Sequence, residues 1–304
     1  MPEQTVLRGA AHRADEPICT VVMSYMAQRT TKEAVLSLLR QDAACEIVVV
    51  NSGGPSLRPV LGPLLEHILL VESPIRLLPG GARNLGIRHS TAPIVAFLAA
   101  DCLAGKGWVS NRLALHGAGH IAVASALLPA ARNGTVTPAA MASYWAIHWR
   151  RMPETPADDA SRHGASYMRS VFDRLGPFRD DLRVSEDSHF NSTLENGGDV
   201  LLWAPAVVTH HRYPDTVMAA LLDQTQRGRR MACYHRRELK RQTHQMARRG
   251  LAMNRAILPS VAMWLGPEKM QRHATAARLL PHLLRARTIG GAVGLVTRPV
   301  GRSR

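Results

Sequence analysis

Four short apolar runs alternate with segments of helical spacing over the first hundred residues, and this pattern limits the chain to few folds. The runs cover residues 18–24, 46–51, 68–71 and 93–101. They are rich in β-branched residues and far shorter than the roughly 20 residues that cross a membrane as a helix. Alternating strands and helices are typical of an α/β fold. We therefore predict a Rossmann-like, mostly parallel central sheet flanked by helices.

Polar residues stand where three of these runs end. Ser24 and Tyr25 close the first run, Asn51 closes the second, and Asp101 closes the fourth. Open parallel sheets bind ligands beyond the carboxyl ends of their strands. These residues are therefore candidates for a binding site.

The net charge of +15 is concentrated in the last quarter of the chain. Residues 1–226 hold 20 Lys/Arg against 21 Asp/Glu, whereas residues 227–304 hold 18 against 2. Such a basic region can bind anionic lipid or nucleic acid, or it can be a solvated helical face. Tyr234 is the sole aromatic residue within 227–249, and single-strand binders interleave several rings with their charges. This disfavours nucleic acid as a partner and leaves an anionic membrane surface as a candidate.

The pattern predicts three regions. Residues 1–15 are predicted to be a disordered lead-in, residues 16–215 the α/β domain, and residues 216–304 a basic helical extension. Amphipathic basic segments of this kind suit contact with a membrane surface. We find no secretion signal, and the four cysteines lack CxxC spacing, which fits a reducing compartment. We expect a cytoplasmic protein that is peripheral on the inner face of the cell membrane.

Six motifs follow one another over residues 18–212. They are Val21-Val-Met-Ser-Tyr, Glu46-Ile-Val-Val-Val-Asn-Ser-Gly-Gly, Gly81-Ala-Arg-Asn-Leu-Gly-Ile, Ile94-Val-Ala-Phe-Leu-Ala-Ala-Asp, Gly176-Pro-Phe-Arg-Asp-Asp-Leu and Ser185-Glu-Asp. In this order they resemble the inverting family 2 glycosyltransferases of the GT-A fold. The resemblance implies transfer of a hexosyl unit from a nucleoside-diphosphate sugar to a hydroxyl of a glycan or lipid-linked acceptor. It also implies a role in the synthesis of cell-surface polysaccharide or glycolipid.

The resemblance implies a donor site at the strand ends and at the start of the helix that follows residue 78. The residues it assigns to donor binding are Ser24, Tyr25, Asn51, Arg83, Asn84 and Asp101. Relatives commonly have Asp where Asn51 stands. An amide can both donate to and accept from a nucleobase edge, so recognition is retained while the identity of the base stays open.

A divalent cation, Mn²⁺ or Mg²⁺, is also implied, with Asp101 as its anchor, because it would offset the charge of the departing diphosphate. Relatives usually carry Asp-x-Asp here, but Ala99 takes the first position, so weaker affinity is expected. A histidine completes the metal sphere in some relatives. His210 and His211 are adjacent, and neighbouring side chains of a strand point opposite ways; we prefer His210. Alternatively, Asp101 caps the next turn.

The acidic pair Glu186-Asp187 matches the pair beside the acceptor in this family. An inverting transfer needs a base that takes the proton of the acceptor hydroxyl, a role we assign to Asp187, with Glu186 shaping the site. Alternatively, Ser185 caps a helix whose first turn favours acids. Tryptophan can stack on a sugar but packs more often in a core. The residues assigned to the acceptor side are His163, Ser166 and Trp203.

Two rival interpretations remain. A nucleotidyltransferase normally has a glycine-rich loop directly after the first strand, and Ser24-Tyr-Met-Ala-Gln-Arg29 contains no glycine. A non-catalytic GT-A-like protein for nucleotide binding or assembly is the second alternative, because Ala99 and Asn51 replace expected acids. The presence of Asp101 and of the acidic pair favours an enzyme.

Overall fold

The computed structural model describes residues 3–26, 28–161, 165–237 and 243–296. Tertiary contacts divide the chain into two compact units. The first consists of Met1–Leu128 and Pro156–His211, and the second of Pro129–Thr155 and Arg212–Arg304. The sequence predicted one boundary at residue 215, whereas the structure groups 129–155 with the C-terminal helices. The reason is a helix in this segment that packs against those helices.

Nine strands of the described residues form one sheet in the order β1-β4-β3-β2-β5-β8-β7-β9-β6. The strands are β1 Thr5–Arg8, β2 Ile18–Tyr25, β3 Glu46–Ser52, β4 Leu69–Ser73, β5 Ile94–Ala99, β6 Cys102–Ala104, β7 Ala122–Pro129, β8 Ser166–Met168 and β9 Leu201–His211. The helices of the first unit are α1 Thr31–Leu39, α2 Arg58–Leu61, α3 Pro79–Arg88, α4 Trp108–Gly117, α6 Ser170–Leu175 and α7 Glu186–Asn196, with a 3-10 helix Gly62–His67.

The parallel part of the sheet consists of the four adjacent strands β4, β3, β2 and β5. Helices connect these strands, as parallel pairing requires. The valine-rich β3 is buried along its whole length, which is typical of a strand covered on both faces. Antiparallel pairs flank this part, with β1 on β4 and β8 on β5. The α/β class predicted from the sequence is confirmed, with parallel pairing in the region between β4 and β5.

The N-terminal segment does not fit the prediction that residues 1–15 are disordered. Strand β1 pairs antiparallel with β4, and the amide of Gly9 donates to the carbonyl of Ile68 at 3.0 Å. The His12 side chain is fully buried, with Nε2 3.4 Å from Glu46 Oε1. The described part of the segment is therefore folded onto the first unit, because β1 covers an edge of β4 that would otherwise be exposed. Its four-residue strand is too short for its pattern to be recognised in the sequence.

An aromatic cluster fills one side of the sheet in the first unit. It contains all four phenylalanines of the chain, which pack with one tyrosine at ring-centre distances between 4.4 and 6.4 Å. Its members are Phe97, Tyr167, Phe172, Phe178 and Phe190. Because they come from β5, β8, α6 and α7 and the segment before α7, the cluster fixes these elements to one another.

The second unit is helical. It contains α5 Pro138–His148, α8 Val217–Arg237, α9 Thr243–Arg272 and α10 Ala274–Val296. Gly266 interrupts α9 with φ 74° and ψ 169°, a conformation that glycine adopts without strain. Trp149 stacks on Trp264 with ring centres 5.3 Å apart, and Trp145 meets His273 edge-on. Among the described residues, none of the helices combines the length and apolarity needed to span a bilayer.

Candidate functional site

The carboxyl ends of β2 and β3 carry the residues predicted to meet a nucleobase. Ser24 is buried, and its hydroxyl oxygen accepts a 2.9 Å hydrogen bond from Thr31 Oγ1, which ties the end of β2 to the start of α1. Tyr25 is 40% exposed, and the Arg76 guanidinium lies 4.8 Å from its ring centre. Tyr25 thus presents an accessible aromatic face, whereas the Ser24 side chain is engaged inside the fold.

Asn51 is also buried, and its side-chain amide forms hydrogen bonds that fix the turn after β3. Its Nδ2 donates to the carbonyl of Pro55 at 3.0 Å and to Glu72 Oε1 at 3.2 Å. The same Glu72 carboxylate accepts the amide of Leu57 at 2.7 Å and the hydroxyl of Ser56 at 3.0 Å. Asn51 and Glu72 therefore fix the turn after β3. Glu72 was not predicted as a partner of Asn51, although its place near the end of the third apolar run was a signal.

Asn84, predicted to contact the donor, has a structural role in the fold. Its side chain is buried and makes two hydrogen bonds to the backbone of Phe178, donating to the carbonyl at 2.8 Å and accepting from the amide at 2.9 Å. Gly80 allows this close contact, since a Cβ there would lie 2.0 Å from the carbonyl oxygen of Arg179. The side chain of Asn84 thus clamps α3 to the segment that precedes α7.

Arg83 and Glu186 form a buried ion pair that sequence analysis did not foresee. Arg83 Nη1 donates to Glu186 Oε1, and the guanidinium carbon lies 5.2 Å from the Phe178 ring centre and 5.4 Å from that of Phe97. Burial lowers the pKa of Arg83, but the carboxylates of Glu186 and Asp187 raise it, with a net increase. Burial raises the pKa of Glu186, which Arg83 opposes. The pair anchors the first turn of α7 on the aromatic cluster.

Asp187 follows in the same turn and is half-buried. Its Oδ1 accepts the amide of Ser188 at 2.7 Å. The residue before the helix, Ser185, has φ 66° and makes no side-chain capping bond, so the structure does not support the interpretation of this motif as a serine cap. A non-glycine residue in this left-handed region costs of order 1–3 kcal/mol, and such strain clusters at functional sites.

Asp101 meets a histidine and a cysteine. Its Oδ2 lies 3.7 Å from His211 Nε2 and its Oδ1 lies 3.7 Å from Cys102 Sγ. Ligand atoms of all three residues fall within 4.8 Å of one another, so they are a candidate metal centre. The histidine beside Asp101 is therefore His211 and not the preferred His210. In the antiparallel register His211 is opposite Cys102 and His210 opposite Leu103, and side chains alternate along β9.

The residues assigned to the acceptor side do not face an open surface where the structure describes them. Ser166 is fully buried and contacts Arg112 Nη1 at 2.7 Å and His116 Nε2 at 2.8 Å. Trp203 is 8% exposed and belongs to the apolar core of the first unit. His163 lies outside the described residues. Both side chains of Ser166 and Trp203 point into the core of the first unit, so their assignment to the acceptor side stays a prediction without a surface contact to support it.

A cavity of about 360 Å³ lies beside α3 in the first unit. Its lining includes Ser73, Leu77 and Asn84. Neither Asp101 nor Asp187 contributes to it. The cavity is therefore distinct from the candidate metal centre and from the acidic pair.

Solved glycosyltransferases share this fold. The mannosyltransferase PcManGT from Pyrobaculum calidifontis, in complex with GDP-Man and Mn²⁺, is 20% identical with a TM-score of 0.60, over 94% of this chain and 89% of that chain. S. aureus TarS 1–349 in complex with UDP-GlcNAc is 13% identical with a TM-score of 0.51, over 92% and 90% of the two chains. Together with the strand order, this likeness establishes the GT-A fold.

The family follows from the sequence match. The family model described as glycosyl transferase family 2 matches residues 19–176, which is more than half of the chain. The chain belongs to this family and is a glycosyltransferase. Comparison with curated protein sequences finds no match.

Proposed function

We propose that this glycosyltransferase transfers a hexosyl unit, with inversion, from a nucleoside-diphosphate sugar to a hydroxyl of a glycan or lipid-linked acceptor. The observation that carries the proposal is Asp101, which lies between β5 and β6 with His211 Nε2 3.7 Å from its carboxylate. A partly exposed carboxylate beside an imidazole at the end of a parallel sheet suits a cation that meets a diphosphate. The product would serve cell-surface polysaccharide or glycolipid synthesis.

The ligand types at this centre fit a divalent cation, for which the family implies Mn²⁺ or Mg²⁺. Asp101 and His211 would hold it, and when bound it offsets the negative charge that develops on the diphosphate. Tyr25 offers an aromatic face for the nucleobase. Arg83 is paired with Glu186 and orients the first turn of α7. We propose that it acts on the donor through its positive charge and not through a direct hydrogen bond.

Asp187 would accept the proton of the attacking hydroxyl. Its carboxylate is half-buried in the first turn of α7, and the Arg83–Glu186 ion pair in the same turn holds this turn in position. The sugar acceptor oxygen then attacks the anomeric carbon as the diphosphate leaves from the opposite face, which inverts the configuration.

Replacement of the base tests this proposal. GDP-mannose and UDP-N-acetylglucosamine are the donors to use first, and release of the nucleoside diphosphate to water is the measurement. We expect Asp187→Asn to lower turnover by roughly 10²–10⁴-fold, the range typical of general base catalysis, without weakening donor binding. Glu195→Gln, the same acid-to-amide change at an exposed position of α7, is the matched control and should keep its turnover. Unchanged turnover in Asp187→Asn would favour the non-catalytic interpretation.

We also propose that the second unit contacts an anionic membrane surface, which would place the enzyme in the cytoplasm at the inner face of the membrane. Residues 227–304 combine 18 Lys/Arg with two acids. Large apolar side chains are exposed on the same helices, among them Met218 and Leu222 of α8, Met253 of α9 and Ile289 of α10. Basic residues beside exposed apolar ones match the chemistry of a membrane interface.

A further inference from the structure

Cys102 is the unusual member of the candidate metal centre. It is buried at the start of β6 and is not part of a disulfide. The pairing of β6 with β9 places it opposite His211, while Asp101 is its neighbour in the chain. Three ligand types, a carboxylate, a thiol and an imidazole, thus converge at one point.

The spacing suits tetrahedral coordination. With metal–ligand bonds of about 2.0–2.3 Å, ligand atoms at the corners of a tetrahedron lie about 3.6 Å apart. Asp101 Oδ2 and His211 Nε2 are 3.7 Å apart, and the other carboxylate oxygen, Oδ1, is 3.7 Å from Cys102 Sγ. With one ligand atom taken from each residue, all three atoms lie within 4.8 Å of one another. Side-chain movements of about 1 Å would therefore bring the three ligands to tetrahedral spacing around one cation.

The composition of the centre argues against Mg²⁺. Mg²⁺ prefers oxygen ligands in octahedral geometry, whereas this cluster offers a thiol and an imidazole beside the carboxylate of Asp101. A thiolate and an imidazole are softer ligands that suit Zn²⁺ or Co²⁺. We propose that Cys102 ligates the cation as a thiolate, together with Asp101 and His211, and that the centre selects Zn²⁺ or Co²⁺ over Mg²⁺.

Three protein ligands leave at least one coordination position open, which the donor diphosphate or water would fill. In this respect the inference rests on the proposed function. Binding replaces the S–H bond of Cys102 by a metal–sulfur bond, and the proton is released to solvent. No oxidation step is involved.

Cobalt spectroscopy tests the thiolate directly. Co²⁺ is titrated into the metal-depleted full-length protein without nucleotide, and the near-ultraviolet thiolate-to-cobalt charge-transfer band is recorded. We expect this band in the wild type, its displacement by Zn²⁺, and no displacement by excess Mg²⁺. Absence of the band in the wild type, or its displacement by Mg²⁺, would overturn the proposal.

Matched variants assign the ligands. Cys102→Ser is expected to abolish the band and to weaken Zn²⁺ binding by at least roughly 10- to 100-fold, a loss known even for outer-shell partners. His211→Ala should also lose the band. His210→Ala and Cys233→Ser are the controls, and both should retain it. Circular dichroism verifies that each variant is folded, and a band that persists in folded Cys102→Ser would rule out Cys102 as a ligand.

The two proposals fail in distinguishable ways. Binding of nucleoside diphosphate that depends on the metal and on Asp101, in a protein whose cobalt spectrum lacks the thiolate band, would reject Cys102 ligation and leave the proposed function intact. A thiolate band without any nucleotide binding would support the metal centre and reject the proposed donor site.

Discussion

Asn51 differs from the acid common in relatives, and its neighbour Glu72 offers a physical reason. The Asn51 amide donates to the Glu72 carboxylate at 3.2 Å inside the fold. An aspartate at position 51 would place its carboxylate beside that of Glu72. Two like charges in a partly buried site raise each other's pKa and destabilise the folded state. The Asn51 amide instead donates a hydrogen bond to Glu72 on β4. The relation was not visible in the sequence, because 21 residues separate the two side chains.

The stability of Asn51→Asp tests this explanation. We expect the free energy of unfolding to fall by about 1–3 kcal/mol, the cost of a buried polar group that loses its partner. Urea-induced unfolding at neutral pH is the measurement, and the exposed Asn133→Asp is the control. Adding Glu72→Gln to Asn51→Asp should restore part of the loss, since an amide again faces an acid. Wild-type stability in Asn51→Asp would refute the explanation.

At the scale of elements, sequence patterns predicted those structures whose signal is local. The valine-rich run at residues 46–51 identified β3, Glu46–Ser52, to within two residues. Strand β1 was missed because its order depends on pairing with β4. His211 was missed because the choice between two adjacent histidines depends on how β9 pairs with β6, which is a long-range register. Local patterns thus predict elements, whereas register decides which side chains meet.

A buried polar network joins α4 to β7 and β8, and it predicts a pH dependence. His116 Nδ1 lies 2.6 Å from the carbonyl of His120, and His116 Nε2 lies 2.8 Å from Ser166 Oγ. Arg112 from the same helix donates to Ser166 and to the carbonyl of Val123. Burial lowers the pKa of His116 from 6.5 to about 4, with Arg112 adding to the decrease. The folded state therefore favours neutral His116.

The pKa of His116 is lower in the folded protein than in the unfolded chain. The contribution of neutral His116 to the free energy of unfolding is therefore fully present above pH 6.5 and is lost as the pH falls toward 4. We expect His116 to account for a loss of about 3 kcal/mol across this window. Urea unfolding at several pH values is the measurement. His116→Gln, which does not titrate, should show a shallower decline, whereas the exposed His282→Gln should behave like the wild type. Equal slopes in His116→Gln and wild type would contradict the prediction.

In the whole molecule, the two compact units differ in both fold and charge. The first unit carries the GT-A sheet with the candidate metal centre and the acidic pair, while the excess of basic residues falls in residues 227–304, which belong to the second unit. Composition shows where the basic charge lies along the chain, but it does not show that residues 129–155 group with the C-terminal helices. Helix α5 is largely apolar and buried, so its sequence does not reveal which neighbours it packs against.

Vesicle flotation tests the proposed membrane contact. We expect binding to vesicles that contain anionic lipid, weaker binding at high salt, and little binding to neutral vesicles. Reversing Arg278 and Arg285 to Glu should weaken binding at least about tenfold, since each basic residue near an anionic surface is worth about 1 kcal/mol. Reversing Arg29 and Arg40 of the first unit is the control. Equal binding to neutral and anionic vesicles would contradict the electrostatic explanation.

The central claim is that Asp101 forms part of a metal-dependent site for a nucleoside diphosphate. The most direct test is calorimetric titration of UDP, GDP and dTDP, with and without Mn²⁺, into the wild type, Asp101→Asn and the control His210→Ala. We predict that the wild type and the control bind one of these nucleotides when the metal is present, and that Asp101→Asn loses this binding. Binding of no nucleotide by the wild type, or undiminished binding by Asp101→Asn, would contradict the claim.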